Sequence, residues 1–326
     1  MACRMEGRNQ GKHRMTNVTV FGASGFIGRH LVQRLARRGM RVKAAERRPQ
    51  HAQFLVPMGD VGQVVPIGAD ITDDVSVSAA IAGADMVVNL VGILYEGGSN
   101  GRFQTIHVES AERVARAARQ AGVQRLVHMS ALGADRNSRS AYARSKAEGE
   151  EAARGAFPGA NILRPSIVFG PEDDFFNRFA ALAQCAPALP LFGGGVTRYQ
   201  PVYVGDVADA IVACLTDPAT VGQTYELTGP RVYSFAEIMA LVLAVTQRKR
   251  ALVKLPFWMA DLIGTFAGLP PGKPMLTRDQ AKLLRHDNVA QGKPGLAELG
   301  IEATACEVIL PTYLDRYRKG GRRALE

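Results

Sequence analysis

Cysteine is scarce in this chain of 326 residues, and the four cysteines lie far apart: Cys3, Cys185, Cys214 and Cys306. They form no CxxC pair, which argues against a zinc site, a redox motif or a disulfide framework. The six histidines show no ligand spacing either, so the sequence predicts no bound metal. Such cysteine usage is typical of a reducing compartment, and we expect a cytoplasmic protein.

Long apolar runs are also missing. No stretch of eighteen apolar residues occurs, and the sequence therefore predicts no membrane-spanning helix. The N-terminal residues lack the apolar core of a secretory signal and the serine content of a transit peptide, and both Met1 and Met15 are candidate start residues.

The net charge of +10 is concentrated at the two ends, because residues 1–14 and 311–326 each carry an excess of three positive charges. We therefore delimit basic tails at 1–16 and 318–326. Such tails can contact anionic lipid or an acidic partner, or simply remain solvated. The tails 1–16 and 318–326 contain no aromatic residue, so we expect no nucleic-acid partner.

The stretch VTVFGASGFIGRHLV at residues 18–32 predicts a strand, a phosphate loop and a helix. Gly22 lets the chain turn, Gly25 lets the backbone approach a pyrophosphate, and Gly28 lets the helix lie close to the sheet. The free N–H groups and the positive dipole end of the helix would then hold the phosphates. A glycine-rich turn that binds nothing is the alternative, since the GxxGxxG spacing alone is a weak signal.

A second strand over residues 41–45 ends in Glu46-Arg47-Arg48. In dinucleotide folds a carboxylate here accepts hydrogen bonds from the adenosine ribose of NAD, whereas arginine pairs with the extra phosphate of NADP. Alternation along the strand lets only one of Glu46 and Arg47 face the ribose. The additional Arg48 favours NADP(H), and Glu46 leaves NAD(H) open.

Three further strands are predicted at 64–69, 85–91 and 125–129, separated by helices at 74–81 and about 104–121. This alternation predicts an α/β fold with a Rossmann-type, doubly wound parallel sheet. Asp70 ends the third strand, where it would accept from the adenine amino group or cap the following helix. Gly92 and Ser130 end the next two strands, so both should lie in the ligand crevice.

Tyr142 and Lys146 are four residues apart on the next predicted helix and therefore share one face. A lysine ammonium lowers the pKa of a nearby phenol, which can then exchange a proton with a carbonyl oxygen while hydride moves. Ser130 would bond the same substrate oxygen. YxxxK is common by chance, but after a glycine loop and five strands it indicates a dehydrogenase-type site.

The second half of the chain is predicted to form a smaller, partly helical subdomain over 166–317, following a nucleotide-binding domain over 17–165. Residues 200–215 should return to the main sheet as a strand and a helix. The apolar, proline-bracketed segment 255–269 contains the only tryptophan. It would form an interfacial helix on an anionic membrane, a patch that faces a partner, or a buried helix, and the last is commonest.

These motifs resemble the extended and atypical short-chain dehydrogenase/reductase superfamily: GASGFIG, the strand-end Ser130, YARSK and LRPSIVFGPEDDF. Residues 17–317 resemble more closely the family of nucleotide-binding accessory subunits of respiratory complex I. The stretches RYQPVYVGDV, TGPRVYS, LTRDQ and PGLAELGI, outside the general signature, carry that closer resemblance.

The resemblance implies a tightly held NADPH and contact with complex I subunits or assembly intermediates. It also implies a peripheral position on the cytoplasmic face of the inner membrane, or on the matrix side in mitochondria. The residues that match the family pattern are assigned to parts of the cofactor: Gly22, Ser24, Gly25, Phe26 and Ile27 to the pyrophosphate, Arg47 to the adenosine phosphate, Asp70 and Ile71 to the adenine, Leu90, Val91 and Gly92 to the ribose, and Tyr142, Lys146 and Pro165 to the nicotinamide half.

Three functions are compatible with these residues. The first is a complex I subunit or assembly partner in which NADPH stabilises the fold. The second is a reductase, dehydrogenase or epimerase acting on an apolar quinone-pathway or isoprenoid substrate. The third is a regulatory protein that senses NADP(H). Because Tyr142, Lys146 and Ser130 retain catalytic residue types, the sequence leaves turnover open.

Overall fold

Seven parallel strands form the main sheet, in the order β11-β6-β5-β4-β1-β2-β3. The computed structural model describes residues 15–97, 101–266 and 277–320. The strands of this sheet are β1 (Asn17–Phe21), β2 (Arg41–Glu46), β3 (Val64–Gly68), β4 (Met86–Asn89), β5 (Arg125–Met129), β6 (Asn161–Pro165) and β11 (Thr224–Leu227). The Rossmann-type parallel sheet predicted from the sequence is thus confirmed.

Helices cover both faces of this sheet, as a doubly wound fold requires. One face packs against α1 (Phe26–Arg37) and α6 (Val204–Thr216), with Leu31, Leu35 and Ile211 fully buried. The other face packs against α2 (Asp74–Ile81), α3 (Ser110–Gln120) and α4 (Ala141–Ala156). Strand β1 and its neighbours are therefore shielded from water on both sides.

The predicted elements agree with the structure except in three places. The single helix expected at about 104–121 begins with a π-helical stretch, Gln104–Glu109, and continues as α3. Asp70 does not cap α2, because Asp73 occupies the cap and accepts from the Ser76 amide at 2.7 Å. The strand expected at 200–204 shrinks to β10 (Val202–Tyr203), which pairs with β7 (Val168–Phe169) outside the main sheet.

A second apolar cluster holds the C-terminal part together. Its core contains Phe169, Phe176, Phe235 and Leu310, all at most 2% exposed. The elements that contribute are α5 (Phe175–Cys185), α7 (Phe235–Val245) and α10 (Cys306–Leu314), with β8 (Ala188–Phe192), β9 (Arg198–Tyr199), β12 (Tyr233–Ser234) and β13 (Ala251–Leu255) in short two-stranded sheets.

Helix α8 (Phe257–Phe266) packs beside α9 (Arg278–Leu283), and an ion pair between Asp261 and Arg285 joins the two segments at 2.5 Å. Parts of three segments predicted from the sequence lie outside the described residues. These parts are 1–14 of the N-terminal tail, 267–269 of the apolar segment and 321–326 of the C-terminal tail. Within the described residues, no helix is long and apolar enough to cross a membrane, and no cluster of metal-ligating side chains occurs.

Candidate functional site

The turn from β1 into α1 requires glycine at two positions. Gly22 has φ = +80°, which L residues with a Cβ rarely adopt. A Cβ on Gly28 would lie 2.3 Å from the Gly22 carbonyl oxygen, so only glycine lets the helix approach the loop this closely. The Gly25 amide donates to the same carbonyl at 3.1 Å and tightens the turn. This is the cradle that a pyrophosphate requires.

The N-terminus of α1 carries neither a side-chain cap nor an acidic residue in its first turn. The first N–H groups of the helix, at Phe26 and Ile27, therefore remain open to an anion. The neighbouring Ser24 amide is different, because it already donates to the Glu46 carboxylate at 2.6 Å. The sequence left open whether Glu46 or Arg47 faces the adenosine ribose; in the structure the Glu46 carboxylate is bound to the phosphate loop.

Two arginines follow Glu46 at the end of β2, and both Arg47 and Arg48 are exposed. Asp70 stands across from them at the end of β3. Its carboxylate accepts from the amide and the hydroxyl of Thr72, and these bonds, together with the Arg47 charge, hold its pKa below the usual value against the effect of burial. Ile71, next to Asp70, is buried in the sheet–helix core.

The segment Leu90–Gly92 follows β4 and lies next to α4, the helix that carries Tyr142 and Lys146. A Cβ on Gly92 would lie 3.3 Å from the Lys146 Nζ and 3.6 Å from the His107 Nε2. A side chain here would crowd both groups, so glycine lets this segment lie close to Lys146 and His107. Leu90 and Val91 are half-buried on either side of the sheet edge.

Tyr142 lies in the first turn of α4, and its phenol oxygen has no hydrogen bond within the described part of the chain. Its ring contacts Phe103 and His107 edge to face, at centroid distances of 5.9 and 5.5 Å. Burial raises the pKa of Tyr142 to about 12, so the phenol is a neutral proton donor near pH 7.

Lys146 is only 5% exposed, and its Nζ donates to the Met129 carbonyl oxygen at 2.9 Å. Burial lowers its pKa to about 8, although the charge of Glu150 opposes that shift. Among the described residues this carbonyl is its sole hydrogen-bond acceptor, so an ammonium with three N–H groups keeps donors free beside Gly92. A ribose with adjacent hydroxyls is a ligand that would use them.

Ser130 is buried, and its hydroxyl is engaged with Glu150, at 2.5 Å. Glu150 in turn accepts hydrogen bonds from Nε and Nη2 of Arg164, at 2.7 and 2.6 Å. Glu150 lies eight residues beyond Tyr142 on the same helix, about 12 Å along its axis. The Ser130 proton is thus directed to Glu150, two turns further along the helix than Tyr142. Pro165 is buried at the end of β6, where its carbonyl accepts from Leu132.

His107 was missed by sequence reasoning, which found no pattern among the histidines. It is 1% exposed in the π-helical stretch; its Nε2 accepts from the Ile93 amide at 3.0 Å and its Nδ1 contacts the Ser145 hydroxyl at 2.9 Å. Burial, aided by the Lys146 charge, lowers the pKa of His107 to about 2, so the ring is neutral. No spacing of residues in the sequence indicates that His107 would make these contacts.

Asp279 was also missed as a site residue, although it belongs to the LTRDQ motif. Its carboxylate accepts from the Ser140 hydroxyl at 2.6 Å and from the amides of Ala141 and Tyr142 at 2.9 and 3.0 Å. A second contact of the same segment is Asn288, which bonds Ser166 and the carbonyl of Leu132. We call residues 277–288 the C-terminal strap, because they cross the strand ends beside the Tyr142 helix.

A family model described as "NAD dependent epimerase/dehydratase family" matches residues 18–228. The chain is also 38% identical, over 93% of its length, to NADH dehydrogenase [ubiquinone] 1 alpha subcomplex subunit 9, mitochondrial, of Arabidopsis thaliana, and covers 78% of that protein. It is 34% identical to ceramide reductase of Caulobacter vibrioides, over 73% of each chain.

Solved structures share the fold at low sequence identity. The dTDP-glucose 4,6-dehydratase of Streptomyces venezuelae, determined with NAD bound, superimposes with a TM-score of 0.69 at 20% identity. That alignment covers 93% of this chain and 96% of the dehydratase.

Proposed function

This chain belongs to the NAD dependent epimerase/dehydratase family and, within it, to the family of the alpha subcomplex subunit 9 proteins of NADH dehydrogenase; on that premise we propose that it holds NADP(H) as a peripheral accessory or assembly subunit of complex I. The identity of 38% to the Arabidopsis thaliana subunit supports the association with complex I.

Nucleotide binding is supported by two features in combination. The N-terminus of α1 has N–H groups available to an anion, and the buried Lys146 ammonium makes only one hydrogen bond within the described residues. Gly22, Gly25 and Gly28 form the cradle, and Phe26 and Ile27 offer N–H groups, while the Ser24 amide is held by Glu46. At the far end of the cleft Lys146 retains donors for a ribose, beside Tyr142, Pro165 and the segment Leu90–Gly92. Two such ends on one crevice suit a dinucleotide.

We further propose NADP(H) over NAD(H). Arg47 and Arg48 are exposed at the end of β2, where a ribose phosphate would be recognised, and Arg47 is near enough to Asp70 to lower the pKa of its carboxyl. Glu46, the residue that would favour NAD(H), has its carboxylate engaged with the Ser24 amide at 2.6 Å. This leaves the arginines as the groups that face an incoming adenosine phosphate.

The cofactor is proposed to be held rather than turned over. The nucleotide would supply hydride, and Tyr142 could give a proton to a carbonyl oxygen. A second hydroxyl would normally orient that carbonyl, but the Ser130 hydroxyl donates to Glu150 at 2.5 Å. With that bond in place the site has one oxygen donor for a substrate, and holding the nucleotide stabilises the fold by mass action.

A peripheral membrane position is part of the proposal. Trp258 and Leu262 are 63% and 50% exposed on one face of α8, one turn apart. We expect the protein to float with liposomes that contain anionic lipid, and the double variant Trp258→Ser/Leu262→Ser to float less. Val61→Ser, which changes an exposed apolar side chain outside α8, is the control. Equal flotation of all three proteins would contradict the membrane contact.

Affinity purification from membranes in mild detergent tests the main proposal. Complex I subunits should co-purify, and denaturation of the purified protein should release NADP(H). Lys146→Met should lose the nucleotide, whereas Lys254→Met, at an exposed lysine, should keep it. Purification with neither nucleotide nor complex I subunits would refute the proposal.

A second candidate function is an NAD(P)-dependent reductase acting on an apolar substrate. The identity of 34% to a ceramide reductase favours it, since Tyr142 and Lys146 are both present. Tyr142→Phe separates the two functions, because it removes the proton donor and keeps the ring contacts. Quinone reduction and complex assembly that survive this change would leave the hydride chemistry dispensable.

A further inference from the structure

His107 occupies the one π-helical stretch found in the described residues, Gln104–Glu109, just before α3. Widened turns of this kind are frequent at functional sites. The stretch is pressed against α4: a Cβ on Gly149 would lie 2.1 Å from the His107 carbonyl oxygen. The irregular backbone therefore fixes His107 beneath the helix that carries Tyr142 and Lys146.

The hydrogen bonds of His107 define its tautomer. The Ser145 hydroxyl donates its proton to the Tyr142 carbonyl at 2.8 Å, so it accepts from the His107 Nδ1–H at 2.9 Å. The Nε2 atom, left without a proton, accepts from the Ile93 amide at 3.0 Å. The ring is thus neutral, and both nitrogens are used.

These bonds join two walls of the cleft. Ile93 directly follows the segment Leu90–Gly92, while Ser145 and Tyr142 belong to α4. The imidazole also stacks on Phe103, with centroids 5.3 Å apart and planes 21° apart, and meets the Tyr142 ring edge to face. His107 consequently ties the position of the ribose-side loop to that of the tyrosine helix.

We propose that His107 is a positioning residue for the nicotinamide half of the bound nucleotide, acting through Ile93 on one wall and through Ser145 and Tyr142 on the other. This inference rests on the proposed nucleotide binding. It assigns His107 no contact with the phosphates or adenine, so removing its hydrogen bonds should affect one end of the ligand only.

Two substitutions isolate the hydrogen bonds from the packing. His107→Phe keeps an aromatic ring between Phe103 and Tyr142 but leaves the Ile93 amide and the Ser145 hydroxyl without their partner. His107→Gln restores one acceptor and one donor. Binding of NADPH and of 2′,5′-ADP, which lacks the nicotinamide half, is measured by calorimetry for both variants and the wild-type protein. Thermal melting checks that each variant is folded.

We expect His107→Phe to bind NADPH about tenfold more weakly than the wild type, with 2′,5′-ADP unaffected, and His107→Gln to recover most of the loss. Equal weakening of both ligands would show a general structural role and overturn the inference, as would unchanged NADPH binding. If the wild-type protein binds neither ligand, the proposed function fails and the inference fails with it. A wild-type protein that binds both, beside an unaffected His107→Phe, refutes the inference alone.

Discussion

Replacing Asp279 should loosen the helix that carries Tyr142, although the two residues are 137 positions apart in the chain. The Asp279 side chain is 19% exposed and accepts three hydrogen bonds at the N-terminus of α4. A bond to a charged group contributes about 1.5–3 kcal/mol, but such contributions are not additive. Ser140 still caps Ala143 in the variant. We therefore expect Asp279→Ala to lower the free energy of unfolding by about 2–3 kcal/mol.

Thermal melting measures this effect. For a chain of 326 residues, 2–3 kcal/mol corresponds to a fall of about 3–4 °C in the melting temperature. Asp279→Asn retains one acceptor oxygen, and its melting temperature should fall by about half as much. Asp60→Ala is the matched control, since Asp60 is exposed and its carboxylate has no hydrogen bond within the described residues.

The pH dependence adds a second test. Burial raises the pKa of Asp279, but the bonds from Ser140, Tyr142 and Ala141 outweigh burial and hold it below the usual value. A depressed folded-state pKa stabilises the protein above the unfolded pKa of about 3.9 and loses that effect as pH falls through the folded value. The difference between wild type and Asp279→Ala should therefore be full at pH 7 and fade below about pH 4. A melting temperature for Asp279→Ala equal to that of Asp60→Ala at pH 7 would refute the reasoning.

The nucleotide cleft supports three further predictions, each checked by calorimetric titration. Lys146→Met should weaken NADPH binding about a hundredfold, and wild-type affinity should fall as pH rises above about 8, where Lys146 loses its charge; a flat pH profile would contradict this. Glu46→Gln should raise the affinity for NADPH relative to NADH, because it removes an anion from the end of β2, where the extra phosphate of NADPH is proposed to bind; an unchanged ratio would count against a role in selection. Gly28→Ala should abolish binding of both nucleotides, since its Cβ would meet the Gly22 carbonyl oxygen; binding at wild-type strength would show that the loop can rearrange.

Local sequence patterns predicted the nucleotide half of the fold because its signals are short-range. The buried strand before Gly22, the glycine spacing and the apolar face of α1 lie within fifteen residues of one another. The boundaries of α2 and β5 were also predicted, although the aspartate that caps α2 is Asp73 and not Asp70.

The remaining features depend on contacts between residues distant in the chain. The periodicity of residues 104–121 indicates a helix but not the π-helical register, which His107 adopts against Gly149 and Ser145. The position of Ser130 at a strand end was predictable. Its partner Glu150 was not, because no local rule pairs a serine with a carboxylate on the next helix.

The C-terminal strap shows the same limit. LTRDQ reads locally as a capping box, and Thr277 and Gln280 form one. Nothing in the motif indicates that Asp279 turns outward to cap a different helix, since that contact exists only in the assembled fold.

The late position of the strap in the sequence also has a consequence for synthesis of the protein. A ribosome completes the glycine loop and the YARSK helix long before it reaches Asp279 and Asn288. A nascent chain that has emerged only as far as residue 276 carries every nucleotide-binding motif but lacks the carboxylate that fixes the start of the tyrosine helix. A chain of that length should consequently bind the proposed nucleotide more weakly than the finished polypeptide, because the start of the tyrosine helix is held less firmly.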